Sequence, residues 1–421
     1  KHLSEGERSM LALFQESAKT VMDKCIGPLV PFNMFYDALY NFLDHSHKVV
    51  IDRAWENSHV NPEKREDCFT VNVLKVLFMI KYVNQVESNL ENITTLMIPD
   101  IDTDRIALRA EVERALDVLV RQKFVEREGD LYVFLTNEEQ EISREIDKMP
   151  VEMSDVISKV AQLIFEEAYK ERRYRYPAHS GRYSFAFNQL IDDYVYKGNQ
   201  SNDISVHVLT PNAAVSNEEM ALRMMSGQGQ EVLVVLPNDV SFLNELRSAL
   251  KIKNYLLRES MASNTAQRFA KIREAKRSEM NRRDKRGLVA LVDALREADI
   301  YVNGDKLETS AKDVGARINE ALGKLVSTVY HKLPYLDTAM NEADIRSLFE
   351  PSVQQKLDVS GATSANAHAL TDVLAFIANN SANHVKTSMK TLMDRFMRAP
   401  YGFVEADVEW LVAKLFKDGD I

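Results

Sequence analysis

Residues 240–298 read VSFLNELRSALKIKNYLLRESMASNTAQRFAKIREAKRSEMNRRDKRGLVALVDALREA, with no proline and a single glycine, Gly287. Leu243, Leu246, Leu250, Leu257 and Met261 recur at helical spacing, followed by Phe269 and Ile272 and then by Leu288, Leu291 and Leu295. As one helix this stretch would run roughly 90 Å at about 1.5 Å per residue, longer than a globular domain holds. It is expected to kink, to project as a coiled-coil arm, or to break near Gly287. A second periodic segment, 310–330, follows the polar turn DIYVNGDKLE at 299–308. A turn between two periodic segments favours antiparallel return, so residues 239–336 read as a long helical hairpin or coiled-coil arm.

Charge is unevenly placed on this arm. Arg268, Lys271, Arg273, Lys276, Arg277, Arg282, Arg283, Lys285 and Arg286 stand against Glu274, Glu279 and Asp284, in a chain whose formal net charge is -10. Three readings fit: a solvated helix that needs charge on its exposed faces, a surface for DNA phosphate that gains affinity by counterion release, or an interface with an acidic partner. Protein assembly and DNA contact stand level.

Outward from the arm, 421 residues with ordinary hydrophobic and charged fractions describe a soluble chain of several domains. No apolar run is long enough to span a bilayer, so no membrane role is expected. Cys25 and Cys68 cannot build a disulfide framework and fit a reducing cytoplasm. The opening KHLSEGERSM has no leader and reads as the inside of a helix, which suggests a piece of a longer protein. Residues 1–147 read as a helical domain. Ser4 and Glu7 make a capping box before a first helix, and a winged helix occupies about 67–136. There the helix 104–122 buries Leu108, Val112, Ala115, Leu116 and Leu119, and two short strands, 124–127 and 131–136, flank Gly129-Asp130. Arg105, Arg109, Arg114 and Arg121 on that helix are balanced by Asp104, Glu111, Glu113 and Asp117, which favours a protein-contacting winged helix over base reading.

A small α/β domain is expected over 153–238, with strands at 183–188, 204–209 and 231–236 and a helical crossover at 217–225 that would make the last two parallel. Just before it, Arg172, Arg173, Arg175 and Arg182 interleave with Tyr169, Tyr174, Tyr176 and Tyr183. Such a pattern can clamp phosphate and stack on bases, and it equally describes Arg stems packed on Tyr rings at a domain edge. Residues 337–421 read as a C-terminal helical domain whose wing, if any, the sequence does not reveal. The fold class is therefore mostly α and multidomain, with one small α/β domain.

Catalytic constellations do not emerge. The nine histidines are scattered without metal-ligand spacing. Asp192-Asp193 follows a strand-like run, where a metal-dependent nuclease could place a carboxylate, but no partner pattern accompanies it and the pair reads as a turn end. Ser226-Gly227-Gln228-Gly229 precedes a strand, and no phosphate-binding loop with its Lys-Ser/Thr occurs. No enzymatic activity and no cofactor are expected of these residues.

Four stretches, LSEGERSMLALFQESA (3–18), EVERALDVLVRQKFVEREGDLYVFLT (111–136), QLIDDYVY (189–196) and PYGFVEADVEWLVAKLFKDG (400–419), together resemble the large P-loop ATPases of bacterial BREX phage-exclusion systems, the BrxC/PglY family. The resemblance implies a non-catalytic region following the ATPase core, with ATP and Mg belonging to the full-length protein only. It also implies partners, namely a methyltransferase, an alkaline-phosphatase-like protein and small accessory subunits, with double-stranded DNA and self-association as further possibilities. A stand-alone winged-helix regulator or replication-associated DNA binder is the alternative.

Overall fold

The computed structural model describes residues 14–421 except 16, 20, 23–26, 41, 42, 44, 84, 199, 217, 262–269 and 351–364. The Ser4–Glu7 capping box, Cys25 and Arg268 therefore lie outside the described residues. Two compact units are present, one formed by residues 1–150 and 248–283 and the other by 151–247 and 284–421.

In the first unit, helices α1 (Met34–Leu39), α2 (His45–Glu56), α3 (Phe69–Ile80), α4 (Leu90–Leu96) and α5 (Arg105–Arg121) precede a hairpin of β1 (Val125–Glu128) and β2 (Leu131–Phe134). The Asp104 carboxylate starts α5 by accepting the Ile106 and Ala107 N–H groups, two of the donors that a helix N-terminus leaves unpaired. The i, i+4 stripe of Leu108, Val112, Leu116 and Leu119 then buries against Leu74, Leu77 and Phe78 of α3 and Ile93 of α4. β1 and β2 pair antiparallel from Val125↔Phe134 to Glu128↔Leu131, and Val125, Tyr132 and Phe134 close the same core. Helices α3, α4 and α5 thus lead into a two-stranded hairpin in the stretch where the sequence suggests a winged helix. Helix α3 ends at Ile80. Helix α6 (Asn137–Asp147) opens on a full capping box between Thr136 and Glu139.

The second unit is built on a mixed sheet. After α7 (Met153–Leu163), strands β3 (Arg173–Arg175), β4 (Ser184–Ile191), β5 (Tyr194–Val195) and β6 (Ile204–Leu209) lead through α8 (Glu219–Gln228) to β7 (Glu231–Val235). β4, β6 and β7 are parallel neighbours, with Phe187↔Ile204 and Ser205↔Glu231 fixing their registers. β6 and β7 are almost wholly buried, as the near-continuous apolar runs VHVL and VLVV require of strands covered on both faces.

Helices α9 (Ser241–Met261) and α10 (Ala270–Glu297) follow, each contributing residues to both units. They form an antiparallel helical hairpin. In the first unit Ile252, Tyr255 and Leu256 pack with Ile272 and Met280, beside Ile142 and Ile146 of α6. In the second unit Glu245 pairs with Arg286 at 3.1 Å. The stretch 240–298 thus folds back on itself. It does not break at Gly287, which lies inside α10 with Leu246 so close that an added Cβ would sit 2.8 Å from its Cδ2.

Residues 299–308 are not a turn between helical arms. They form β8 (Asp299–Val302), antiparallel to β7, and the two-residue strand β9 (Asp305–Lys306), joined through Asn303 and Gly304 at positive φ. The sheet order is β3-β4-β6-β7-β8-β9, with β5 beside β4. The α/β layer consequently draws two strands from beyond residue 238. Helix α11 (Val314–Val329) covers it with Ile318, Leu322, Leu325 and Val326 rather than returning along α10.

The remaining helices are α12 (Glu342–Phe349), α13 (Ala367–Ala382), α14 (Met389–Phe396) and α15 (Glu405–Asp418), with Phe396, Tyr401 and Phe403 at their aromatic centre. They dock on the sheet through the Asp407 carboxylate, which is fully buried. It accepts from the Arg182 guanidinium (3.0 Å), the Tyr183 hydroxyl (2.9 Å) and the Met340 N–H (3.0 Å). Gly402, at φ +70°, lets the chain pass 2.7 Å (from an imagined Cβ) from the rings of Phe185 and Tyr330, where no other residue fits.

Candidate functional site

The cations of α10 are largely spent within the first unit. Lys276 is 5 % exposed and reaches Glu126 of β1 at 2.5 Å and Glu279 at 2.7 Å. Burial would lower its pKa, but the two carboxylates hold it above the usual lysine value. Burial would likewise raise Glu279, and Lys276 with Arg283 holds it below the usual range instead. Arg283 donates to Glu279 at 2.8 Å, Arg282 pairs with Glu128 at 2.7 Å, and Arg277 pairs with Glu274 at 3.0 Å. In the second unit Arg286 is held by Glu245. Lys271, Arg273 and Lys285 keep no carboxylate partner among the described residues. The β1–β2 hairpin thus supplies Glu126 and Glu128 to the helix that the sequence marks as the basic surface, and most of its positive charge is neutralised locally.

On α5, Arg109 pairs with Glu91 at 2.6 Å, and Arg121 donates to its own helix at the Asp117 carbonyl. Arg109 is thus held by a carboxylate, while Arg121 is exposed and keeps no carboxylate partner among the described residues.

The interleaved Arg and Tyr residues separate by face. Tyr169, Tyr174 and Tyr183 are buried, with Tyr169 bonded to Asn319 and Tyr183 to Asp407, so none of the three offers a ring for stacking. Burial raises the pKa of all three. Arg182 joins the buried Asp407 cluster and also reaches the Met340 carbonyl. Arg172, Arg173 and Arg175, by contrast, are exposed and line an open groove of about 840 Å³ together with Lys170, Glu171, Pro177 and Asn319. No carboxylate pairs with these three arginines among the described residues; Arg173 donates only to Ser184, through Nε to its hydroxyl (3.0 Å) and through Nη2 to its carbonyl (2.6 Å). Lys170 could have been added from the sequence by extending the basic run two residues back. Asn319 has no local signal, since α11 brings it in from far along the chain.

Asp192 is occupied structurally. It sits at φ +47° in the two-residue turn between β4 and β5, and its two oxygens accept the Thr210 N–H and hydroxyl, both at 2.8 Å. Its carbonyl lies 2.8 Å from Nε2 of His207, whose Nδ1 meets Glu231 at 2.9 Å. Among the described residues no group of three or more His, Cys, Asp or Glu is placed to hold a metal. The nuclease reading of Asp192-Asp193 therefore has no geometric support.

Residues 149–325 match the model of the BREX ATP-binding protein BrxC 4th domain with six-stranded beta sheet, and residues 328–421 match that of the BrxC winged helix-turn-helix domain. The chain belongs to the BrxC family. The first match coincides with the sheet whose path runs through six strands, β8 and β9 included. The second assigns the family's winged helix-turn-helix to the residues of α12–α15, whereas the sequence signals placed a winged helix at 67–136. No solved structure matches the chain. No helix among the described residues is long and apolar enough to cross a membrane.

Proposed function

We propose that this chain is the non-catalytic C-terminal region of a BREX-type anti-phage defence ATPase and that it mediates assembly with the partner defence subunits: the methyltransferase, the alkaline-phosphatase-like protein and the small accessory proteins. The observation that carries this reading is the succession of the family's fourth and winged-helix domains, beside which most of the conspicuous cations of α10 are bound to Glu126, Glu128, Glu245, Glu274 and Glu279. A surface evolved to neutralise DNA phosphate would leave those cations for the phosphates, because each internal ion pair removes one site of counterion release. The sheet unit, with its unpaired arginines on β3, and the α9–α10 hairpin are the surfaces offered to protein partners.

The test is co-migration and crosslinking of the chain with each defence subunit. Failure to associate with any of them, under conditions where the full-length protein does, overturns the reading. Direct engagement of double-stranded DNA is a second reading, supported by Lys271, Arg273 and Lys285, which keep no carboxylate partner among the described residues.

A further inference from the structure

β3 ends the sheet, and its backbone geometry says what can join it. The Tyr176 N–H donates to the Tyr183 carbonyl at 2.9 Å, and the register runs Tyr174↔Phe185 and Arg175↔Ser184. Antiparallel pairs alternate between bonded and non-bonded, so Tyr174 and Tyr176 turn their backbone groups towards β4. Arg173 and Arg175 turn theirs, two N–H and two C=O groups, towards the open edge. Their side chains share one face of the strand, about 6.6 Å apart at about 3.3 Å per residue, and both are exposed in the groove with Arg172.

We infer that this edge accepts an extended acidic segment of a partner protein as an added strand, carrying Glu or Asp at alternate positions opposite Arg173 and Arg175. Strand addition takes its affinity from main-chain hydrogen bonds and its selectivity from alternate side chains. Here alternation of period two puts every second partner residue, a carboxylate, on the face of Arg173 and Arg175. Two copies of the same arginine edge repel, so the charge that protects β3 from self-pairing also selects an acidic strand. Guanidinium groups suit the bidentate geometry of carboxylates. Nucleic acid is the poorer occupant: stacking platforms are what secure single strands, whereas Tyr169, Tyr174 and Tyr183 are turned into the core and the half-buried Tyr176 packs edge-on against Phe185. The inference rests on the assembly reading and names one of its surfaces.

The probes are a fluorescein-labelled nonapeptide of alternating Glu and Val, the same peptide N-methylated at alternate residues to block strand pairing, its Lys-Val counterpart, and a labelled twelve-residue oligothymidylate. Anisotropy with the full 421-residue chain at low salt is expected to show saturable binding of the Glu-Val peptide. Affinity should fall at least tenfold on N-methylation, on exchange of Glu for Lys, and in the Arg175→Glu variant, whose thermal transition should stay that of the parent because this side chain is exposed and makes no hydrogen bond or ion pair among the described residues. Equal binding of the N-methylated peptide, or an unaffected variant, overturns strand addition. Tighter binding of the oligothymidylate that is lost in the variant makes the groove a nucleic-acid site and also overturns it. Co-migration with the defence subunits separates this from the assembly reading: a parent chain that assembles but ignores the acidic peptide sinks only the groove, whereas a parent chain that assembles with none of them sinks the reading itself.

Discussion

Lys276 shows how one side chain can be indispensable without being a binding site. It is buried between Glu126 and Glu279, and its loss would leave two carboxylates facing each other with only Arg283 near them. Breaking a buried pair from one side typically costs about 3–5 kcal/mol, whereas replacing all partners by neutral groups of similar volume is far cheaper. Lys276→Met is therefore expected to lower stability in urea by about that amount, and adding Glu126→Gln, which removes one stranded carboxylate while Glu279 keeps Arg283, to recover part of it. A double variant no more stable than the single one would show that the charge left on Glu126 is not the cause. His207 makes a different prediction. Burial would depress its pKa, but Glu231 and the Asp192 carbonyl raise it above the ordinary imidazole value. A folded pKa above the unfolded one means stabilisation that is complete below about pH 6.5 and lost as pH rises through the folded value. Urea midpoints should fall across that window, and His207→Gln should flatten this part of the profile.

At the scale of elements, Gly287 and residues 299–308 show why periodicity found the helices but misplaced their ends. Glycine is a poor helix residue, so a glycine in a long helical run reads as a break. The structure keeps Gly287 in α10 because α9 passes so close there. Gly287→Val is expected to force Leu246 aside and cost about 1–3 kcal/mol as overpacking, read as a lower unfolding midpoint; an unchanged midpoint would mean that the hairpin yields at this point. The apolar run of β8 is too short to reveal its period, and its partner β7 lies some sixty residues earlier with the whole helical hairpin between. Asn303-Gly304 was the local sign of a β-turn, yet a strand hairpin there made sense only with β7 already in view. By contrast α5, β1 and β2 were legible because their capping Asp, i, i+4 stripe and Gly129-Asp130 turn all act locally. The same division explains the candidate residues. A run of cations is visible in sequence, but Glu126 and Glu128, about 150 positions away from Lys276 and Arg282, decide which of them remain available.

For the whole molecule, a net charge of -10 sets a repulsive background against which any DNA contact must work, and only unpaired cations can release counterions from phosphate. Each phosphate neutralised contributes about -0.9 to the slope of log affinity against log salt for duplex DNA. Arg277 and Arg282 are committed to Glu274 and Glu128, so reversing them to Glu should leave the salt slope of any duplex binding unchanged. It should instead lower the melting temperature, since Arg282→Glu sets two like charges together at Glu128 of the β1–β2 hairpin. Reversing Lys271 and Lys285, which are exposed and keep no carboxylate partner among the described residues, should do the opposite if DNA is bound at all: little change in melting, and a slope shallower by about 0.9 for each phosphate that is no longer neutralised. Anisotropy titrations of a labelled duplex between low and moderate salt, run beside thermal melts of the same variants, read both quantities. A shallower slope in the Arg277→Glu/Arg282→Glu chain at unchanged melting temperature would mean that these pairs open for phosphate, and would move α10 from a helix neutralised by neighbouring carboxylates to a surface for DNA.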